Sequence, residues 1–402
     1  MVPERACGLA SLATSLTPSP SQELRPVSSS PVPVPAQSPP YGRPPLRTVQ
    51  VLGGAGAGSS THVRSLTNGL AARGVRVTVC APAEAEGEYD FTGAGASFAP
   101  DAVSTLRAAC AGADVVHAHG VRAGMRAALA LRGSGPGRRA PLVVTWHGGA
   151  PDAEGALGRL TRLLERRVAR AAAVVLGAST ELVDLARMRG ARDARLAPVA
   201  VPVPAGPEAA ADPGKARAEL GAVERPLVIA VGSLVPRRGY FVLLDAARAW
   251  RVLDPVPLLV IAGEGPLRAE LARRIEAEGL PVRLLGRRRD AAELLAAADV
   301  AVLPSRWEGR SLLAQEALRA GVALVATAVG GVPELVGDAA VLVPYGDHGA
   351  LSAAVAGLLG DPARRAALGA AGRSRAATWP SEDDTVAQVL SVYDELMARR
   401  RS

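Results

Sequence analysis

The sequence predicts an α/β protein made of two doubly wound parallel sheets that face each other across a cleft. Three observations carry that prediction. Short apolar runs of strand length recur along the chain with helical patterns between them, as parallel strands joined by right-handed crossovers require. The series runs twice, interrupted at 198–213 by a stretch rich in Pro, Ala and Gly that reads as a connection between domains. The chain has 402 residues, 49% of them hydrophobic, enough for two cores of ordinary size. Aromatic residues supply only 3%, so those cores must be built from Ala, Val and Leu.

Residues 18–46 are dominated by Pro and Ser and cannot bury enough surface to fold, so 1–46 is expected to be a disordered tail. The first strand is expected at Thr48–Leu52, followed by a glycine loop and a helix from about Ser60 to Arg73 that Gly74 ends. Val75–Cys80, Asp114–His117, Leu142–Trp146 and Ala173–Leu176 are further buried-type strands, with helical patterns at 101–111, 121–132, 155–170 and 179–189. The second series has strands at Leu227–Val231, Leu258–Ile261, Val282–Leu285, Val300–Leu303 and Ala323–Ala326. Helices are expected between them at 237–251, 266–278, 289–297 and 311–320, and after them at 347–359, 361–377 and 382–400. The expected domains are therefore 47–204, 205–380 and a terminal helix, 381–402. The segments Ala83–Pro100 and Gly133–Pro141 are read as loops without a recognisable code.

The formal charge is +8, carried almost wholly by arginine, with Lys215 the single lysine. Residues 101–205 hold fifteen arginines against eight acids. Such a balance fits a nucleotide or an anionic membrane surface, and equally a solvated surface. Nucleic acid is not expected, because no aromatic stacking residues interleave with the arginines. The cysteines, Cys7, Cys80 and Cys110, form no CxxC and no zinc spacing, so neither disulfides nor a structural metal are expected and a reducing cytoplasm fits. No apolar run approaches the roughly 20 residues that span a bilayer.

The candidate site begins with Pro304-Ser305-Arg306-Trp307-Glu308-Gly309-Arg310-Ser311-Leu312-Leu313-Ala314-Gln315-Glu316. Glu316 sits on a helix that is otherwise Leu and Ala, where a carboxylate is costly to bury unless something binds it. Ser311 can cap that helix, and Gly309 lets the loop turn toward a ligand. Free N–H groups at Arg310, Ser311 and Leu312 could receive a diphosphate, with Glu316 accepting from a ribose diol and Glu308 facing whatever the diphosphate carries. Those spacings describe a nucleotide diphospho-sugar. Two other loops follow strands and open helices. One is Gly53-Gly54-Ala55-Gly56-Ala57-Gly58-Ser59-Ser60. It fits neither GxGxxG nor a P-loop and is read as a phosphate or sugar cradle at Gly58 or as a tight structural turn. The other carries Ser233, Arg237 and Arg238. Two arginines in the first turn of a helix oppose its dipole, a cost that an anion in the cleft would remove; a solvated basic turn is the alternative. His147, at a strand's carboxyl end, is either a donor to a sugar or phosphate or a histidine satisfied at a turn. His62, His117 and His119 lie in the same half, but no carboxylates stand at ligand spacing, so no metal is expected and His117 and His119 receive no role.

From Arg47 to Tyr393 the chain resembles the family-4 retaining glycosyltransferases of the GT-B fold. The two-glutamate segment Pro304–Gly321 looks like that family's signature, and Val329-Gly330-Gly331-Val332-Pro333-Glu334 is similar to its downstream element. Gly263-Glu264-Gly265-Pro266, Asp114-Val115-Val116-His117-Ala118-His119, and Trp379 with Tyr393 also fit. The resemblance implies two Rossmann-like domains, the first for the acceptor and the second for a UDP- or GDP-sugar, with the last helix crossing back to the first. It implies that Glu316 holds the donor ribose, that Glu308 contacts the transferred hexose, that His147 stands beside that sugar and that Arg238, in place of the family's lysine, neutralises the diphosphate. It also implies metal-independent same-face transfer to a hydroxyl acceptor, a lipid or a glycan, with no cofactor beyond the donor, in the cytoplasm or peripherally at the inner face of an anionic membrane. One position departs: Ser233 stands where the family commonly has arginine, leaving Arg237 or Arg310 to supply the second cation. An epimerase of the same fold and a non-catalytic nucleotide binder are the alternative functions.

Overall fold

A computed structural model describes residues 44–54, 57–132, 139–149, 155–200, 213–288 and 290–401. The expected tail up to residue 43, part of the Gly133–Pro141 loop and most of the 198–213 connection lie outside the described residues.

In chain order the first half runs β1 (Arg47–Leu52), α1 (Ala57–Ala72), β2 (Arg76–Ala81), α2 (Ala83–Tyr89), β3 (Ser97–Pro100), α3 (Val103–Ala111), β4 (Val115–His119), α4 (Val121–Leu131), β5 (Leu142–Trp146), α5 (Gly155–Ala171), β6 (Val174–Gly177), α6 (Thr180–Met188) and β7 (Ala194–Leu196). The second half runs α7 (Pro213–Glu219), β8 (Leu227–Val231), α8 (Tyr240–Ala249), β9 (Leu258–Ala262), α9 (Arg268–Glu278), β10 (Val282–Gly286), α10 (Ala291–Ala297), β11 (Val300–Leu303), α11 (Leu312–Ala320), β12 (Ala323–Thr327), α12 (Val332–Val336), β13 (Val341–Val343), α13 (His348–Leu359), α14 (Pro362–Ala376) and α15 (Glu382–Arg399).

The strands form a seven-stranded sheet, β3-β2-β1-β4-β5-β6-β7, and a six-stranded sheet, β10-β9-β8-β11-β12-β13. Every pairing is parallel, with Thr48 opposite Val77 and Val115 in the first sheet and Val228 opposite Leu259 and Val300 in the second. Central strands buried on both faces need unbroken apolar runs, and β5, β9 and β12 are buried at every residue. Each sheet lies between two apolar clusters. The chain order reverses between β1 and β4 and again between β8 and β11, and it is outside the carboxyl ends at such reversals that open α/β sheets bind ligands.

The final helix joins the two halves. Ser381 and Asp384 close a capping box at its start, and Val386, Val389, Val392, Tyr393 and Leu396 enter the core that Leu66 and Leu70 of α1 help to form. Two expectations need correction. Ala83–Pro100 is not a bare loop but holds α2 and the edge strand β3, which carry too few apolar residues to show a period. The helix expected at 237–251 is shorter: Pro236–Arg238 form a separate 3₁₀ turn, and Gly239, at φ 68°, breaks the chain before α8 begins. A Cβ on Gly239 would come within 1.9 Å of the Pro304 carbonyl oxygen, so no larger residue could carry the helix through.

Candidate functional site

The carboxyl ends of the two sheets enclose a cleft of roughly 420 Å³. From the first half come Gly58 at the start of α1 and His147 just past β5; from the second come Ser233, Arg237 and Arg238 after β8, and Glu308, Gly309, Arg310, Leu312 and Glu316 after β11. Ser311 alone among the sequence-predicted residues does not line the cleft. It is buried, and its Oγ caps α11 by accepting from the Ala314 N–H at 3.3 Å.

Glu308 is 5% exposed and ion-paired with Arg238, and it also accepts from Ser305 Oγ at 2.7 Å. The Arg238 Nε is buried with no partner among the described residues, which leaves a donor for a ligand oxygen. Gly239 is the N-cap of α8, so the two arginines precede the helix instead of occupying its first turn, and what holds Arg238 is Glu308. Arg237 is exposed in the cleft, and desolvation, then repulsion from Arg238, lowers its pKa. Glu316 is half-buried, and desolvation raises its carboxyl from 4.5 to about 7 against the pull of Arg319. No atom lies within 4 Å of a Cβ built on Gly58, so space for a ligand, not protein packing, is what a side chain there would take.

Arg310 lines the cleft and is also held by the first half. Its Nε donates to the Val199 carbonyl at 2.9 Å, and its guanidinium lies over the Trp379 ring, 5.5 Å from the centroid. Burial lowers its pKa to about 10. It ties the second half to the first, while its Nη2 is buried with no partner among the described residues.

Gly309 too has a reason the sequence does not show. A Cβ there would sit 2.4 Å from the His147 carbonyl oxygen and 3.1 Å from Leu182 Cδ1. The close approach of the halves is reinforced where the Glu334 carboxylate accepts from the Thr180 N–H at 2.9 Å and Trp307 Nε1 donates to Glu181 at 3.0 Å. Gly309→Ala is therefore expected to push the halves apart, lowering stability by about 1–3 kcal/mol and impairing the cleft. Thermal unfolding checks this, and an unchanged Tm would rule out the steric reading.

The histidines form a buried polar chain that sequence reasoning missed. His147 Nε2 lies 3.2 Å from His119 Nδ1, and His119 Nε2 lies 3.0 Å from Gln50 Oε1. Gln50 Nε2 donates to the Tyr393 hydroxyl at 3.1 Å; that hydroxyl meets His117 Nδ1 at 2.7 Å, and His117 Nε2 meets Thr145 Oγ1 at 2.7 Å. Because the Gln50 carbonyl oxygen can only accept, His119 carries its proton on Nε2 and accepts at Nδ1 from His147 Nε2–H. Likewise Tyr393 accepts from Gln50 and donates to His117. Burial lowers the pKa of all four imidazoles, to about 4 at His147 and about 3 at His117, and well below the ordinary range at His62 and His119. They are neutral at physiological pH. The hint in the sequence was polar residues, Thr48, Gln50, His117 and His119, within strands that must be buried.

Comparisons with known proteins agree with this architecture. A family model for glycosyl transferases group 1 matches residues 214–375, and one for a glycosyl transferase 4-like domain matches 57–202. A GDP-mannose-dependent monoacylated alpha-(1-6)-phosphatidylinositol monomannoside mannosyltransferase of Corynebacterium glutamicum is 38% identical over 191 residues, covering 44% of this chain and 49% of that protein. The chain thus spans about half the length of the first curated relatives it matches. A D-inositol 3-phosphate glycosyltransferase of Xylanimonas cellulosilytica is 32% identical over 319 residues, covering 71% of this chain and 73% of that protein. Among solved structures, Anabaena HepE in complex with UDP and glucose superposes with a TM-score of 0.75 at 19% identity, over 87% of this chain and 99% of that one. Sucrose-phosphate synthase from Thermosynechococcus elongatus gives 0.69 at 21% identity, over 88% of this chain and 100% of that one; at these identities the likeness speaks for the fold. Matched by family models in both halves and by a relative over most of its length, the chain belongs to the group 1 glycosyltransferases of GT-B fold.

Proposed function

We propose that this chain is a retaining glycosyltransferase that moves a hexose from a UDP- or GDP-sugar to a hydroxyl acceptor without a metal cofactor. The observation that carries the reading is the meeting, around one cleft, of the half-buried Glu316, the Arg237–Arg238 turn, Glu308 and His147. In this reading Glu316 accepts from the ribose diol. Arg237, the spare Nε of Arg238 and the N-terminus of α11 hold the diphosphate. Glu308 and His147 contact the sugar. The bond from the anomeric carbon to the phosphate oxygen breaks as the acceptor oxygen bonds to the same face. The acceptor's proton passes to the departing phosphate oxygen, whose charge the two arginines stabilise.

Relatives are named for GDP-mannose and a phosphatidylinositol mannoside, whereas the HepE crystals hold UDP or UDP-glucose, and both bases remain in the proposal. A lipid acceptor is favoured by the outer face of α5. Arg159, Leu160, Leu163, Arg166, Arg167 and Arg170 fall on one exposed stripe of that helix, with the two leucines 52% and 47% exposed. Arginines around exposed leucines suit an anionic membrane surface. Among the described residues no helix is long and apolar enough to cross a membrane, and the contact proposed for α5 is peripheral.

The test is incubation with radiolabelled UDP- and GDP-sugars, with and without EDTA and anionic vesicles. Transfer or slow donor hydrolysis that survives EDTA, with retained anomeric configuration, supports the proposal. Free epimerised donor points to an epimerase, binding without turnover to a non-catalytic relative, and inversion of the anomeric centre overturns the same-face mechanism. Activity on a lipid acceptor is expected to rise with anionic lipid and fall with salt; indifference to both removes the membrane role.

A further inference from the structure

The three histidines His62, His119 and His147 come from α1, the end of β4 and the loop after β5, three separate segments that sheet order brings to one point. One ring nitrogen from each lies within 4.8 Å of the other two. The His119 Nδ1 and His147 Nε2 atoms are 3.2 Å apart. Two imidazole nitrogens bound to one tetrahedral zinc at 2.0–2.1 Å stand about 3.3 Å apart, so this pair already has the separation a shared cation would need. The His62 ring centroid lies 5.6 Å from that of His119 and 5.3 Å from that of His147, so a shared ion requires the His62 ring to turn inward.

The surroundings also resemble those of a metal-binding histidine. Such a ligand ordinarily donates its other ring N–H to an oxygen that fixes its tautomer and plane. His119 does so at 3.0 Å to Gln50 Oε1, and Gln50 is in turn held by Tyr393. The Nδ1 lone pair of His119 is thereby directed at His147. His62 and His119 are 4% exposed, whereas His147 and His62 line the cleft, so a cation would enter from the cleft and keep a fourth position open to water. The absence of carboxylates, which argued against a metal in the sequence, does not bear on a site whose third ligand is another histidine.

We propose that His62, His119 and His147 form a three-histidine site for a divalent transition-metal cation, with zinc as the best match. Binding turns His147 Nε2 from donor to ligand, its proton moving to Nδ1, and replaces the His147–His119 hydrogen bond with two nitrogen–metal bonds. The site serves no step of the proposed transfer but shares His147 with it, so zinc and the donor sugar would compete for that ring. It goes beyond that reading and can be tested apart from it.

The experiment is calorimetric titration of the full chain, free of any polyhistidine tag and of nucleotide, with zinc chloride, and optical titration with cobalt chloride. One zinc per chain is expected, released by EDTA, together with the intense visible absorption of four-coordinate cobalt. His62→Gln and His119→Gln should each weaken zinc binding at least tenfold, with folding checked by thermal unfolding. No zinc uptake, a pale six-coordinate cobalt spectrum, or undiminished binding in both variants overturns the proposal. The cobalt spectrum needs no variant, so it decides the matter even if a substitution fails to fold. Because no nucleotide is present, a negative result leaves the proposed glycosyl transfer untouched.

Discussion

Arg238→Met is expected to abolish most turnover and to weaken the fold at the same time. Glu308 is buried, and Arg238 is its ionic partner. Removing one member of a buried pair leaves the other charge uncompensated, which costs about 3–5 kcal/mol. In the proposed reaction the same change removes a cation from the departing diphosphate, a loss worth roughly 10²–10³ in kcat. The two effects separate in the double variant Arg238→Met/Glu308→Gln. With no charge left stranded, most of the lost stability should return while activity stays absent. Arg238→Lys should keep the fold and part of the activity, since it retains the charge but not the fork. Chemical denaturation and steady-state kinetics on the three variants are the measurements. A single variant as stable as wild type would mean that the pair is solvated, and full activity in it would remove Arg238 from the diphosphate site.

Glu316→Gln is expected to move stability and affinity in opposite directions. Burial raises the carboxyl of Glu316 from 4.5 to about 7, so the native state disfavours the charged form. The resulting destabilisation is absent below the unfolded-state value, grows as pH rises, and is fully present above 7. Glutamine keeps the shape without the charge. The variant should therefore be more stable than wild type at pH 8, by up to about 3 kcal/mol, and no more stable below pH 4.5. Nucleotide binding should weaken by roughly 10- to 100-fold, the 1.5–3 kcal/mol of a hydrogen bond to a charged group. In the wild type that affinity should strengthen as pH rises through 7, because the ribose diol donates to the carboxylate. Calorimetric unfolding at both pH values and titration with UDP and GDP test each half; unchanged nucleotide affinity would falsify the ribose assignment.

Much of the scaffold was legible because it is local. Leu142–Trp146, Leu227–Val231 and Val300–Leu303 were read to the residue, since a strand buried on both faces must be continuously apolar. The short edge strands β3, β7 and β13 were not, because three or four residues at a sheet's rim carry no period. Within the site, Ser311, Glu308 and Glu316 stood out by loop chemistry and by the cost of a carboxylate among Leu and Ala. Gly309 is suggested in the sequence by the loop's turn, and the structure adds the reason that the His147 carbonyl leaves no room for a side chain. Arg310 reads as a second cation in the sequence, and the structure adds that Val199 and Trp379 hold its guanidinium beside the cleft.

The sequence by itself determined two parallel α/β units and a loop-and-helix segment bearing two carboxylates. These follow from hydrophobic period, glycine and proline, and charge within a single segment. Only the tertiary structure decided that Arg238 pairs with Glu308, 70 positions away, and that Tyr393 closes a chain of histidines through Gln50, 343 positions away. Such contacts depend on which strands lie side by side and on α15 returning to α1. Strand order is settled by packing across the whole chain, so no local pattern records it.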